Sequence, residues 1–243
     1  MIADLKKLWQ EAFGDSDEIL DAFFAHGFSE GRFLCICEEG KPVCALYWFD
    51  CHLQGQKLAY LYALATAKSH RGKGLAHRLM TQAHARLKEL GYAGAILVPG
   101  SEELFRFYEK MGYRTATTVC EFSCDAADRP VPVLELTAAE YARLRRAFLP
   151  AGGVLQEGAT LSYLQAQMHF YGGKDFLLCA AIENSTLLAQ EFLGNPKAAS
   201  HILRALGAAK GNFRTVGEGR TFSMLLPLQE DCPRPGYFGL ALD

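Results

Sequence analysis

The chain has 243 residues, half of them hydrophobic and 21% charged, with a formal net charge of −2. That length supports one large domain or two small ones, each with its own core, and the near-balanced charge gives no global field favouring nucleic acid. The opening "MIADLKKLWQEAFGD" mixes acids and lysines without a long apolar core, and no run of about 18 apolar residues follows, so neither a signal peptide nor a membrane span is expected and the reading is cytoplasmic.

In chain order, "ADLKKLWQEAFG" places Leu5, Leu8, Trp9 and Phe13 at helical spacing and stops at Gly14, and "SDEILDAFFAHGF" follows with Ser16 as N-cap. "RFLCICEEGKPVCALYWFD" reads as two strands around a turn at Glu39-Gly40-Lys41, and a further strand runs from Lys57 to Thr66. Leu75, Leu79, Met80, Ala83, Leu87 and Leu90 then share one helical face, with Gly91 as terminator. "AGAILVP" is a short buried strand. "SEELFRFYEKMGY" is a helix capped by Ser101, striped by Leu104, Phe107, Tyr108 and Met111 and ended by Gly112, and "YRTATTVCEFSC" alternates as a strand.

"DAADRPVPV", residues 125–133, reads as a linker between domains at 1–124 and 134–243. Beyond it, Thr137 and Glu140 form a capping box. "TLSYLQAQMHFYGG" reads as a helix, "DFLLCAAIENSTLLAQEFLGN" as two strands turning at Asn184-Ser185, and a last helix opens at Asn195-Pro196. Helix, strand, turn, strand thus occurs in both halves. Eight cysteines, at 35, 37, 44, 51, 120, 124, 179 and 232, include no C-x-x-C pair and fall largely in apolar runs. They read as buried small hydrophobes in a reducing compartment, not as a disulfide framework. Cys120 and Cys124 lack a second ligand pair at zinc spacing, so no metal is expected.

The segment "SHRGKGLAHRL" sets two glycines and three cations at a helix entrance, directly after the apolar run "LAYLYALATA". A helix N-terminus leaves unpaired N–H groups and a partial positive charge, and glycines let main-chain donors approach an anion closely. The bland alternative is a surface turn with solvated charges. It is not a Walker loop, because Lys73 is followed by Gly74 and Leu75, and His77 stands where the dinucleotide fingerprint needs a small residue.

The same residues resemble the acetyl-CoA-binding segment of the GCN5-related N-acetyltransferases (GNAT). That turn asks for Arg or Gln, then Gly three residues on and Gly or Ala two further, met here by Arg71, Gly74 and Ala76. "LFRFYEKMGY", about thirty residues on, resembles the family's tyrosine-bearing helix, and the resemblance covers residues 1–124. It implies an α/β (α+β) fold with a mixed, mostly antiparallel sheet flanked by helices, repeated in a degenerate second half. Main-chain N–H groups of Arg71, Gly72, Lys73, Gly74, Leu75 and Ala76 would bind the pyrophosphate. The strand end Leu64-Ala65-Thr66 would pair with the pantetheine arm, with the N–H near Leu64 as donor to the thioester carbonyl. Tyr108 would protonate the departing thiolate; taken alone it reads as a core aromatic on the buried stripe, and the turn motif beside it favours catalysis. Many members carry an asparagine where this chain has "VPGSEEL", and Ser101 either replaces its hydrogen bond or only caps the helix.

For the general base, Glu39, Asp50, His52 and Tyr62 are candidates by position, as is the terminal Asp243, while His77 and His84 read as solvated or packing residues. The expectation is an acetyl-CoA-dependent N-acetyltransferase acting by direct attack of an amine borne by a small molecule or peptide, with no nucleic-acid or membrane partner and with scope for a homo-oligomer. A non-catalytic acyl-CoA sensor is the alternative. A transferase acting on another protein's lysines, with the second half as a docking module, is a third reading.

Overall fold

A computed structural model of the chain describes residues 1–242. They divide into two compact units: residues 1–114, 158–163 and 224–233 form the first, and residues 115–157, 164–223 and the rest of the described C-terminus form the second. The boundary expected at residue 124 therefore falls ten residues earlier, and two later segments return to the first unit.

In the first unit, α1 (Ile2–Phe13) buries Leu5, Leu8 and Trp9 and ends at left-handed Gly14, and α2 (Asp17–Ala22) follows Ser16 and passes into a π-helical turn through Gly27. Strands β1 (Phe33–Glu38), β2 (Lys41–Leu53) and β3 (Gln56–Thr66) are successive antiparallel neighbours, β2 pairing with both others. Helix α3 (Leu75–Glu89) crosses over to β4 (Gly94–Leu97), which lies parallel to β3, and α4 (Glu102–Lys110) follows. One face of this sheet packs on α3 and α4 through Ile36, Cys44, Trp48, Leu79, Met80, Leu87, Tyr108 and Tyr113. An aromatic cluster of Trp9, Phe23, Tyr47, Phe49, Tyr62 and Tyr163 packs α1 and its neighbours. Leu104, expected on the buried stripe of α4, is exposed; of that stripe only Tyr108 is buried.

The remaining elements are β5 (Arg114–Asp125), β6 (Leu134–Leu136), α5 (Ala138–Phe148), β7 (Leu155–Gln156), α6 (Ala159–Gln165), β8 (His169–Gly172), β9 (Phe176–Glu183), β10 (Thr186–Gly194), α7 (Ala199–Leu206) and β11 (Lys210–Pro227). Within the second unit, β6, β8, β9 and β10 run antiparallel in that order, and β10 lies parallel to β11. In the first unit, Met224–Pro227 at the end of β11 pair antiparallel with β4. The Thr137–Glu140 capping box is present in both directions.

Three expectations are corrected. "TLSYLQAQMHFYGG" is not one helix: α6 ends at Gln165 and His169–Gly172 is a strand, because the alternation of His169, Phe170 and Tyr171 suits a pleated face. Residues 125–133 are not a free linker. The Ala126 and Ala127 N–H groups donate to the Ala209 and Ser200 carbonyls, and Val131 and Val133 pack on the second unit's core. The cysteines are not uniformly buried either. Cys37 is exposed and Cys35, Cys120 and Cys124 are half-buried, since strands open to solvent on one face place alternate residues outward, and Cys232 is half-buried in the segment after β11.

Candidate active site

The site grows from a fault in the pairing of β3. Its parallel ladder with β4 joins Leu58–Tyr60 to Gly94–Ile96, while β3 runs on to Thr66. On the other side, Tyr62 pairs with Tyr47 but Ala65 with Ala45, so Ala63 and Leu64 oppose Leu46 alone. This is a β-bulge, and Ala63 takes the left-handed conformation at φ 51° to make it. The bulge bends β3 where its pairing with β4 has ended, leaving the backbone from Leu64 to Thr66 along a strand edge able to accept an extended chain. Nothing in the sequence marks Ala63, since alanine carries no preference for left-handed backbone.

The strand end is tied down on three sides. The Ala67 N–H donates to the Val43 carbonyl at 2.9 Å. The Lys68 N–H donates to Glu11 of α1 at 2.6 Å, and Arg71 Nε donates to the Thr66 carbonyl at 3.2 Å. A single 3-10 turn, Lys68–His70, leads into the glycine segment. Gly72 and Gly74 have φ of 76° and 73°, which side chains resist, and beyond the adjoining residues nothing lies within 4 Å of where a Cβ would stand on either. Gly74 is the N-cap of α3 with no side-chain cap, and the first helical bond runs from the Arg78 N–H to the Gly74 carbonyl at 3.0 Å. The N–H groups of Leu75, Ala76 and His77 thus have no acceptor within the helix. The structure brings together all six predicted turn residues. It also assigns Arg71 a scaffolding bond: its side chain anchors the strand end besides adding charge.

Tyr108 lies on α4, its ring packed edge-on to Phe107 and Tyr113 at 5.1 and 5.6 Å between centroids. Burial alone pushes its phenol up to about 12. Beneath it, Tyr113 and His84 Nε2 hydrogen-bond at 2.8 Å, and burial, with a smaller effect of His77, lowers His84 to about 4. Ser101 caps α4, its Oγ accepting from the Leu104 N–H at 3.3 Å.

The base candidates scatter. Glu39 forms the exposed β1–β2 turn and His52 is exposed near the end of β2. Asp50 accepts from the Tyr92 hydroxyl and pairs with Lys57 at 3.2 Å and Arg32 at 3.5 Å. Burial pushes this carboxyl up, but the donors Tyr92 and Lys57 and the charges of Lys57 and Arg32 outweigh it and hold it below its ordinary value. Tyr62 lies 3.4 Å, oxygen to oxygen, from Tyr163, and burial, then the neighbouring Tyr163, pushes it well above the usual phenol range. His77 is exposed. Asp243 lies outside the described residues. The stretch before it, Tyr237–Ala241, is buried without forming a strand, and Gln156 and Leu240 exchange hydrogen bonds.

Comparison with known proteins matches residues 2–116 to the family model described as an acetyltransferase (GNAT) domain. No curated protein matches. Among solved structures, the chain is similar to a GCN5-related N-acetyltransferase from Anabaena variabilis (TM-score 0.71, 17% identity, 94% of this chain and 70% of that one). It is similar too to a GCN5-related N-acetyltransferase from Kribbella flavida (TM-score 0.70, 17% identity, 93% and 69%). A third, Eis1 from Mycobacterium abscessus, aligns at a TM-score of 0.66 with 13% identity over 94% and 71%. At these identities the structures establish a shared fold, with its mixed, mostly antiparallel sheet flanked by helices. The family model accounts for residues 2–116, just under half of the chain, and that segment is an acetyltransferase domain of the GNAT type.

Proposed function

We propose that this chain transfers an acetyl group from acetyl-CoA to a primary amine by direct attack, using the first unit's site. The observation that carries the reading is the continuity of two features: the bulged, unladdered end of β3 runs straight into the glycine turn and uncapped N-terminus of α3. The open space at Gly72 and Gly74 and the free N–H groups of Leu75, Ala76 and His77 fit a pyrophosphate. Leu64-Ala65-Thr66 fits the pantetheine arm, and Ser101 is left to its cap. When bound, acetyl-CoA supplies an activated acetyl thioester. The N–H near Leu64 is the donor toward the thioester oxygen, an interaction that strengthens as charge develops there.

Tyr108 acts as a hydrogen-bond donor to the leaving sulfur. A thiol of pKa near 8.5 does not take a proton outright from a phenol near 12, a gap of about 3.5 units or ~5 kcal/mol, yet that phenol still donates better than water. The acceptor amine loses its proton to solvent, since Asp50 is engaged by three partners and Glu39 and His52 face water. That unassigned base is the observation favouring the second reading, an acyl-CoA sensor.

We infer that the second unit is a degenerate copy of the first. It repeats an antiparallel pair, β9 and β10, then a helix, then a parallel partner, and β10 carries its own bulge at Gln190. Its helix entrance differs: Asn195 accepts from the Lys197 N–H, closing with a side chain what the first unit leaves open. Titration calorimetry tests the proposal. Acetyl-CoA should bind the intact chain, and Gly74→Asp, which adds a side chain at positive φ and a negative charge, should weaken binding at least tenfold. Absence of binding to the unaltered chain overturns the reading. Binding without thiol release across a broad amine panel favours the sensor.

A further inference from the structure

Cys35 and Cys37 stand two residues apart on β1, with their Sγ atoms 3.7 Å apart, Cys37 exposed and Cys35 half-buried. Residues i and i+2 of a strand share a face and have Cα atoms about 6.6 Å apart, inside the upper limit for a disulfide. The register also shifts between Ile36 and Cys37, where the extra residue, Val43, lies on β2, so the ladder is irregular beside the second thiol. Closing the pair to bonding distance asks the sulfurs to approach by about 1.7 Å. No third His, Cys, Asp or Glu among the described residues joins them in a metal-holding group, which leaves dithiol chemistry.

We propose that Cys35 and Cys37 form a reversible intrachain disulfide by exchange with a low-molecular-weight disulfide, and that this bond loosens the glycine turn. The exposed Cys37, as thiolate, attacks one sulfur of RS–SR and expels RS⁻, giving a mixed disulfide. Cys35, deprotonated, then attacks the Cys37 sulfur and expels the second RS⁻. The two cysteine protons end on the two thiols released, so the protein loses two electrons and two protons while RS–SR becomes two RSH. Burial, then the hydrogen bond with Cys37, pushes Cys35 up to about 11, so Cys35 stays a thiol while the exposed Cys37 attacks first. A short cross-link within one strand is strained, and strained disulfides are the readily reduced ones.

The path to the turn is short. Glu38 follows Cys37 and its carboxylate meets His70 Nε2 at 3.1 Å; His70 Nδ1 meets Ser69 Oγ at 2.8 Å, and Arg71 comes next. Drawing Cys37 toward Cys35 displaces the strand end that carries Glu38 and so releases one tether of the turn. The effect on acetyl-CoA rests on the function proposed above; the disulfide itself does not.

Treating the full chain with glutathione disulfide, followed by intact and peptide mass spectrometry, tests the site. The expected result is the loss of two hydrogens within the peptide holding Cys35 and Cys37, reversed by dithiothreitol and absent in Cys35→Ser and Cys37→Ser. A glutathione adduct alone, no reaction, or a bond joining other cysteines overturns it. Hydrogen exchange of amides 68–76 reads the coupling without ligand: faster exchange after oxidation is expected, and unchanged exchange overturns it. Acetyl-CoA should then bind the oxidised chain about three- to tenfold more weakly, a difference on the order of 1 kcal/mol. Should the reduced chain fail to bind acetyl-CoA, the acetyltransferase reading falls, while the mass and exchange results still decide the disulfide.

Discussion

Tyr108 is a phenol whose acidity burial has weakened, to a value near 12. Such a group contributes to a transferase only where negative charge develops, so its removal should separate rate from affinity. Tyr108→Phe keeps the ring contacts with Phe107 and Tyr113 and is expected to lower turnover about 10- to 100-fold, less than full acid catalysis supplies because the phenol donates a hydrogen bond without giving up its proton, with acetyl-CoA affinity changed less than twofold. Equal losses in both would make Tyr108 a packing residue. His84, beneath it, carries a pH dependence of definite sign. Its folded pKa of about 4 lies below the ordinary 6.5, so the unfolded chain binds the proton first. Stability is full above pH 6.5, falls as pH drops toward 4, and loses no more from this group below that. Urea unfolding at several pH values should show that slope, and His84→Gln should flatten it.

At the scale of elements, the second unit rests on one buried ion pair. Arg145 of α5 donates through Nε to Glu191 Oε2 at 2.6 Å and through Nη2 to Oε1 at 2.8 Å, and the Tyr141 hydroxyl donates to Oε2 at 2.8 Å. Both side chains are 1% exposed or less. Arg145→Met strands the carboxylate in the core and should cost about 3–5 kcal/mol, whereas adding Glu191→Leu should recover most of it; urea midpoints of the two variants read this directly. None of it was visible in the sequence, where Arg145 and Glu191 sit 46 residues apart in ordinary amphipathic patterns. Features set by one residue's own chemistry were visible: the Gly14 and Gly91 terminators, the Thr137 box, the Ser101 cap and the glycine turn. Features set by neighbours were not. The Ala63 bulge depends on how β2 and β3 pair, and the 18-residue strand β11 was unread because Gly211, Gly217 and Gly219 break its pattern.

At the scale of the whole molecule, the chain does not divide where its proline-rich stretch suggests. The first unit recruits residues 158–163 and 224–233 from far along the sequence. Met224–Pro227 continue its sheet beside β4, and Tyr163 stacks on Phe49 with rings 10° from parallel. Cys232 lies against Gly94, where a Cβ would come within 2.7 Å of its sulfur, and the Gln56 side chain donates to Asp231 at 3.0 Å. A fragment ending at residue 124 keeps the glycine turn and Tyr108 but strips β4 of its outer partner and opens the aromatic cluster at Tyr163. Deleting residues 130–243 therefore does not isolate an active domain from a docking module. The fragment is expected to lose its near-ultraviolet circular dichroism, to aggregate, and to bind no acetyl-CoA. Adding back residues 158–163 and 224–233 through flexible linkers should restore part of its thermal transition. A fragment 1–124 that melts cooperatively and binds acetyl-CoA like the full chain would show that these late segments are ornaments on a self-sufficient domain, and would return the boundary to the place the sequence suggests.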